Sequence, residues 1–151
     1  MLRDHENRVA DLQYSVESGH ALLSLHEGQV MKMCLVVDDS RAVRKVARRI
    51  FEGLNFDTAE AIDGLEAMAF CKAAMPEVVL LDWAMPTMDG LEFIKLLRQE
   101  PGGDAPIVVF CAEENEPAQI AEALDAGADE YIMKPFDGDI VASKLAQVGL
   151  L

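Results

Sequence analysis

A chain of 151 residues, 51% of them hydrophobic, is sized for one domain with a full core. Its formal net charge of −14 opposes nucleic acid and anionic membranes alike, so nonspecific binding to either is not expected. No apolar stretch is long enough to span a bilayer and no signal peptide is legible. Cys34, Cys71 and Cys111 are widely spaced and read as reduced core thiols, so a cytoplasmic protein is expected.

Residues 1–30 differ in pattern from the rest of the chain. Val9, Leu12 and Val16 fall at helical spacing, but polar residues, Gly19 and Gly28 interrupt the pattern. We expect an N-terminal extension that is flexible or a non-native start, and a domain over residues 31–151. Met31-Lys32-Met33 leads directly into the first strand, as a start would.

Cys34-Leu35-Val36-Val37 is a short apolar run, the pattern of a strand buried on both faces, and it ends in Asp38-Asp39-Ser40. Residues 41–54 are predicted as an amphipathic helix with Val43, Val46, Ala47, Ile50, Phe51 and Leu54 on one face. Arg41, Arg44, Lys45, Arg48 and Arg49 crowd the remainder. They could mark a partner surface, but are expected as a solvated face whose cations offset the nearby acid cluster. Residues 55–59 make a weaker, more polar strand near an edge. Asp63-Gly64 turns into a helix over 65–75, closed by Pro76.

Val78-Val79-Leu80-Leu81 is the next buried strand, and it stops abruptly at Asp82. Met85-Pro86 forces a turn, and Asp89-Gly90 opens a helix over 91–100 that Pro101-Gly102-Gly103 ends. Ile107-Val108-Val109-Phe110 is a fourth strand, ending in Cys111-Ala112. Pro117 suits the first turn of a helix to about Ala126, with Gly127 its cap. Tyr131-Ile132-Met133 ends in Lys134-Pro135, and residues 140–148 form the closing helix.

Five strands alternating with five helices imply an α/β fold, a doubly wound five-stranded parallel sheet. With right-handed crossovers and order 2-1-3-4-5, the switch point lies between strands one and three. Asp38, Asp39 and Asp82 would converge there. Like charges at ~4 Å cost about 4 kcal/mol per pair at an effective dielectric of ~20, so a cation is expected among them. Hard oxygen ligands suit Mg²⁺. Zinc would want His or Cys, and His5, His20 and His26 all lie in residues 1–30. Acids with a metal and a lysine across from them are built to receive an anion. A phosphoryl group fits, with Asp82 as nucleophile and Lys134 neutralising its oxygens. There is no Walker loop, so the donor must be another protein or a small molecule.

The motifs Asp38-Asp39, Asp82-Trp83-Ala84-Met85-Pro86-Thr87-Met88-Asp89-Gly90, Ala126-Gly127-Ala128 and Lys134-Pro135-Phe136 occur here in one order. From Lys32 onward the chain resembles the receiver domain of two-component response regulators, of the single-domain, CheY-like type. The resemblance implies that Asp82 is the phospho-acceptor. It implies Mg²⁺ on Asp39, Asp82 and the backbone carbonyl of Ala84, with Asp38 acting through water. Lys134 would contact the phosphoryl group, and its bond to Pro135 would be cis. The donor would be a sensor histidine kinase or phosphotransfer protein. The output would be binding of a target protein on the face of helix four, strand five and helix five, where Ile140, Val141 and Ala142 could contribute. Chemotaxis is one setting, and no output domain is expected.

One position departs from the resemblance. The family usually has Ser or Thr at the end of strand four, paired in switching with an aromatic, here Tyr131; this chain has Cys111, a weak donor. Alternatives therefore stay open: a phosphate sink or shuttle, or a pseudo-receiver adaptor. A haloacid-dehalogenase-like phosphatase wants Asp-x-Asp-x-Thr, which Asp38-Asp39-Ser40 does not supply. Cys111 as a redox sensor, with Lys134 lowering its pKa, is a further option. Trp83 is expected half-exposed at the rim of the site.

Overall fold

Val78–Asp82 and Met33–Val37 are buried along their whole length. A parallel strand is dry on both faces only when helices cover each side of the sheet. The computed structural model, which describes residues 25–26, 29–113 and 117–151, has that arrangement. Strands β1 (Met33–Val37), β2 (Asp57–Ala61), β3 (Val78–Asp82), β4 (Ile107–Ala112) and β5 (Glu130–Met133) run parallel in the order β2-β1-β3-β4-β5. They alternate with helices α1 (Arg41–Gly53), α2 (Gly64–Ala73), α3 (Gly90–Gln99), α4 (Pro117–Ala126) and α5 (Gly138–Gln147). This is the expected doubly wound order. Ahead of β1, Leu25–His26 and Gln29–Val30 form a short antiparallel ladder. The helical spacing of Val9, Leu12 and Val16 falls outside the described residues.

The period of two along each strand divides the core. Leu35, Val37, Val79, Leu81, Val108 and Phe110 pack on one face against α2, α3 and α4. Cys34, Val36, Val78, Leu80, Val109 and Ile132 pack on the other against Ala47 and Phe51 of α1 and Val141 and Leu145 of α5. Phe51 and Phe56 meet edge to face at 5.3 Å and close the bottom of that second layer.

Helix starts follow their caps. Side chains of Ser40, Asp63, Asp89 and Asp137 accept from the amides three residues on. Asp137 therefore starts α5 at Gly138, ahead of the expected Ile140. α2 stops at Ala73 rather than Met75, because Ala74 is already extended on the approach to Pro76. β2 begins at Asp57, since Asn55 turns with φ 69° and the Phe56 amide still bonds back to Phe51. It is an edge strand, as its polarity suggests.

Two expectations for α1 need correction. Val46 is 48% exposed and is not part of the core face. Nor do Arg44 and Arg48 form ion pairs with the carboxylates of the Asp38–Asp82 cluster. Arg44 pairs with Glu60 at 2.6 Å, and Arg48 pairs with Glu60 at 2.7 Å and Glu52 at 3.2 Å. These bonds from Arg48 and Arg44 hold the Glu60 carboxyl below its ordinary range. Arg44 does reach the site, but by donating to the main-chain oxygen of Asp38 at 2.8 Å.

Arg98 at the end of α3 holds the opposite side together. Its guanidinium donates to the carbonyls of Gly103, Pro106 and Gly127 and to the Asp129 carboxylate. One side chain thus ties the α3–β4 loop to the α4–β5 turn. Arg98→Ala leaves those carbonyls short of a donor, and an expected loss of about 2–4 kcal/mol should appear in urea unfolding. A loss below about 0.5 kcal/mol would show that the loops satisfy themselves without it.

Candidate functional site

The same alternation that builds the second core layer aims the site residues. Asp38 continues the parity of Val36, Asp82 that of Leu80, Cys111 that of Val109, and Lys134 that of Ile132. All four emerge at the carboxyl edge of the sheet, at the switch point beside β1 and β3. Asp82 and Cys111 are direct partners in the β3–β4 register. They share a cleft of ≈ 530 Å³ with Asp39, Ser40, Trp83, Ala84, Glu113 and Gln119.

Asp38 is 3% exposed and Asp82 6% exposed, whereas Asp39 is exposed. Carboxylate oxygens of the three lie within 4.8 Å of one another, close enough to hold one metal ion. Asp38 is fixed by accepting from the Ser40 amide at 2.8 Å and from Lys134 Nζ at 2.8 Å. Asp82 accepts from the Trp83 amide at 2.9 Å and from Lys134 Nζ at 3.2 Å. Lys134 is presented by a cis Lys134–Pro135 bond, and its own amide bonds Ala112.

Burial, reinforced by the charge of Asp38, raises the pKa of Asp82 above the usual carboxylate value, against the pull of Lys134. Burial works against the charge on Lys134, but its bond to Asp38 and the charges of Asp82 and Asp38 outweigh that and raise its pKa. Three acids against one ammonium leave an excess of negative charge in the cleft. That excess and an all-oxygen donor set fit a hard divalent cation such as Mg²⁺.

The loop after β3 is shaped by close approach. A side chain on Gly90 would strike the Asp82 carbonyl, and the Gly90 amide donates to Trp83 O at 2.8 Å. Thr87 adopts φ 70° to make the turn. Trp83 is half-buried, its ring edge-on to Phe110 at 5.2 Å, so it is rim packing, as expected. Ala84 is exposed in the cleft wall.

Cys111 is 3% exposed, and burial pushes its thiol pKa well up despite Lys134. A thiol kept protonated and covered is a poor redox sensor, so that option loses its support. Glu113 and Gln119 also line the cleft, and no motif in the sequence flags either.

A profile of the response regulator receiver domain matches residues 34–146. The chain belongs to this family. Among curated relatives of this receiver, response regulator MprA of Mycobacterium avium (strain 104) is 43% identical over 102 residues, which is 68% of this chain and 44% of that protein. MprA of Mycobacterium sp. (strain KMS) is 44% identical over the same share. The receiver thus spans less than half the length of these relatives. Among solved structures, chemotaxis response regulator CheY4 of Vibrio cholerae has TM-score 0.74 and 29% identity, covering 78% of this chain and 98% of that one. The Francisella response regulator 1452 receiver domain has TM-score 0.70 and 28% identity, covering 78% and 95%. A CheY-like receiver domain of a two-component system is therefore the frame for its chemistry. Among the described residues, no helix is long and apolar enough to cross a membrane.

Proposed function

We propose that this receiver takes a phosphoryl group onto Asp82 from the phospho-histidine of a sensor histidine kinase or phosphotransfer protein, and then binds a target protein. The observation that carries this reading is Asp82 itself. It is a buried carboxylate, held between an ammonium and two further acids at the mouth of a cleft. A carboxylate oxygen of Asp82 attacks phosphorus as the P–N bond to the donor imidazole breaks, and the electron pair leaves with the imidazole nitrogen. Lys134 holds positive charge against the transferring oxygens and releases its grip on the acids as they are engaged. Asp38, Asp39, Asp82 and the carbonyl of Ala84 would hold Mg²⁺, which supplies charge neutralisation at the phosphoryl oxygens. Replacing a carboxylate charge of about −1 by about −2 at this point is the switching event.

The target face is α4–β5–α5. Ile140 is exposed there and Ala142 half-buried, but Val141 points into the core and is removed from the expected contact set. Chemotaxis is one setting for such an output. Cys111 favours a second reading, a phosphate sink or shuttle with weak switching, because a thiol beside Asp82 is a weak donor to a phosphoryl oxygen.

Trp83 reports on the site, since its amide bonds Asp82. Mg²⁺ is expected to quench its fluorescence, and beryllium fluoride with Mg²⁺ to change it further. Both responses should vanish in Asp82→Asn. A wild-type protein silent to both would support the pseudo-receiver alternative instead.

A further inference from the structure

A phosphoryl group on Asp82 brings three strong acceptor oxygens into a half-buried cleft, and each needs a donor or a cation. The side-chain donors at hand are few. Lys134 is one. The Cys111 thiol, the register partner of Asp82, is a weak one. Ser40 caps α1 by accepting from Val43 at 3.3 Å, which leaves it one O–H to donate. Trp83 lays its ring against Phe110 and has a single indole N–H to offer. Gln119, in the first turn of α4, offers more. It lines the same cleft, is half-buried, and its carboxamide has no hydrogen-bond partner among the described residues. A carboxamide carries two N–H donors and no charge, so it can face an anion without a counter-ion of its own.

We infer that Gln119 is a phosphoryl-binding residue, donating from its side-chain N–H to a phosphoryl oxygen on Asp82 where Cys111 donates only weakly. The inference rests on Asp82 as phospho-acceptor. It gives the phosphoryl group a direct hold on α4. The helix that bears Gln119 is an edge of the proposed target face, so occupancy of Asp82 is transmitted to that face without a hydroxyl on β4. Glu113, exposed in the same cleft wall, repels the anion and makes a neutral donor more useful there.

The test titrates beryllium fluoride into wild type, Gln119→Ala and Gln119→Glu at saturating Mg²⁺, read by Trp83 fluorescence. We expect Gln119→Ala to weaken beryllium fluoride by about tenfold, the scale of a hydrogen bond to a charged group, with Mg²⁺ affinity and thermal midpoint unchanged. Gln119→Glu keeps the shape, replaces a donor by a repelling acceptor, and should be weaker still. Adding Cys111→Thr to Gln119→Ala should recover part of the loss. If wild type does not respond to beryllium fluoride, the phospho-acceptor reading fails first, and this inference with it. If wild type responds and Gln119→Ala binds equally well, or loses Mg²⁺ affinity and stability in the same proportion, the Gln119 assignment alone is overturned.

Discussion

Asp82→Asn is expected to be more stable than wild type at neutral pH in the presence of EDTA, by on the order of 1 kcal/mol, while losing phosphoryl acceptance altogether. Burial and the neighbouring Asp38 disfavour the ionised Asp82, and Lys134 compensates only in part. A carboxylate whose pKa is raised by folding contributes no penalty while it is protonated in both states, at acid pH. The penalty appears as pH rises through the unfolded-state pKa and is fully present above the folded one. Asparagine keeps an oxygen for the Trp83 amide and for Lys134 but has no charge to desolvate. The stability gap between variant and wild type should therefore open as pH rises from acid to neutral, and close again toward acid. Mg²⁺ is expected to reverse the order, because only the wild-type cluster would gain fully from a cation. Thermal melts across that pH range, with and without Mg²⁺, measure all of this. A variant less stable than wild type at neutral pH in EDTA would mean that the Lys134–Asp82 pair is net stabilising and the argument for a strained acid is wrong.

Lys134→Met is expected to give the largest loss of stability from any single change at the site, about 3–5 kcal/mol in EDTA at neutral pH. Lys134 Nζ is the cation paired with both Asp38 and Asp82, two carboxylates that are nearly inaccessible to water. Removing it strands them together. Methionine preserves most of the stem volume, so the loss reports charge rather than a cavity. Lowering the pH should relieve part of the cost as Asp82 takes up a proton. Millimolar Mg²⁺ should relieve part of it too, by replacing the missing positive charge. In the wild type, the raised pKa of Lys134 means that its stabilising charge persists through neutral pH and is lost only at alkaline pH. Phosphorylation by acetyl phosphate should fall severely in the variant even where Mg²⁺ restores the fold. Urea unfolding at neutral pH decides the first point. A loss below about 1 kcal/mol would place Lys134 among ordinary surface pairs.

Much of the site can be read from the chain because it lies at strand ends. An unbroken apolar run that stops at a charge places that charge on the rim of the sheet. The period of two then assigns Asp38, Asp82, Cys111 and Lys134 to one face, provided the strands pair in order. What stays hidden depends on contacts that leave no pattern. The partners of Arg98 are mostly backbone carbonyls of distant loops, which no side-chain motif encodes. The pairing of Arg44 and Arg48 with Glu60 needs the α1–β2 geometry, so in the sequence the basic face of α1 reads as a counterweight to the acidic cluster instead. Val46 and Val141 show the limit of helical phase. Helical spacing puts Val46 at the margin of the apolar face and the resemblance puts Val141 on the target face, but the first lies toward solvent and the second in the core. Gln119 is invisible for a related reason. It is an ordinary polar residue on an amphipathic helix until the fold sets it in the wall of the cleft that holds Asp82.

The most direct measurement is chemical trapping. Wild-type protein incubated with Mg²⁺ and acetyl phosphate, then reduced with borohydride, should carry homoserine at position 82 when its peptides are sequenced by mass spectrometry. The yield should drop to background with EDTA and in Lys134→Met. Homoserine at any other aspartate, or none at position 82 in folded, Mg²⁺-loaded protein, would contradict the account.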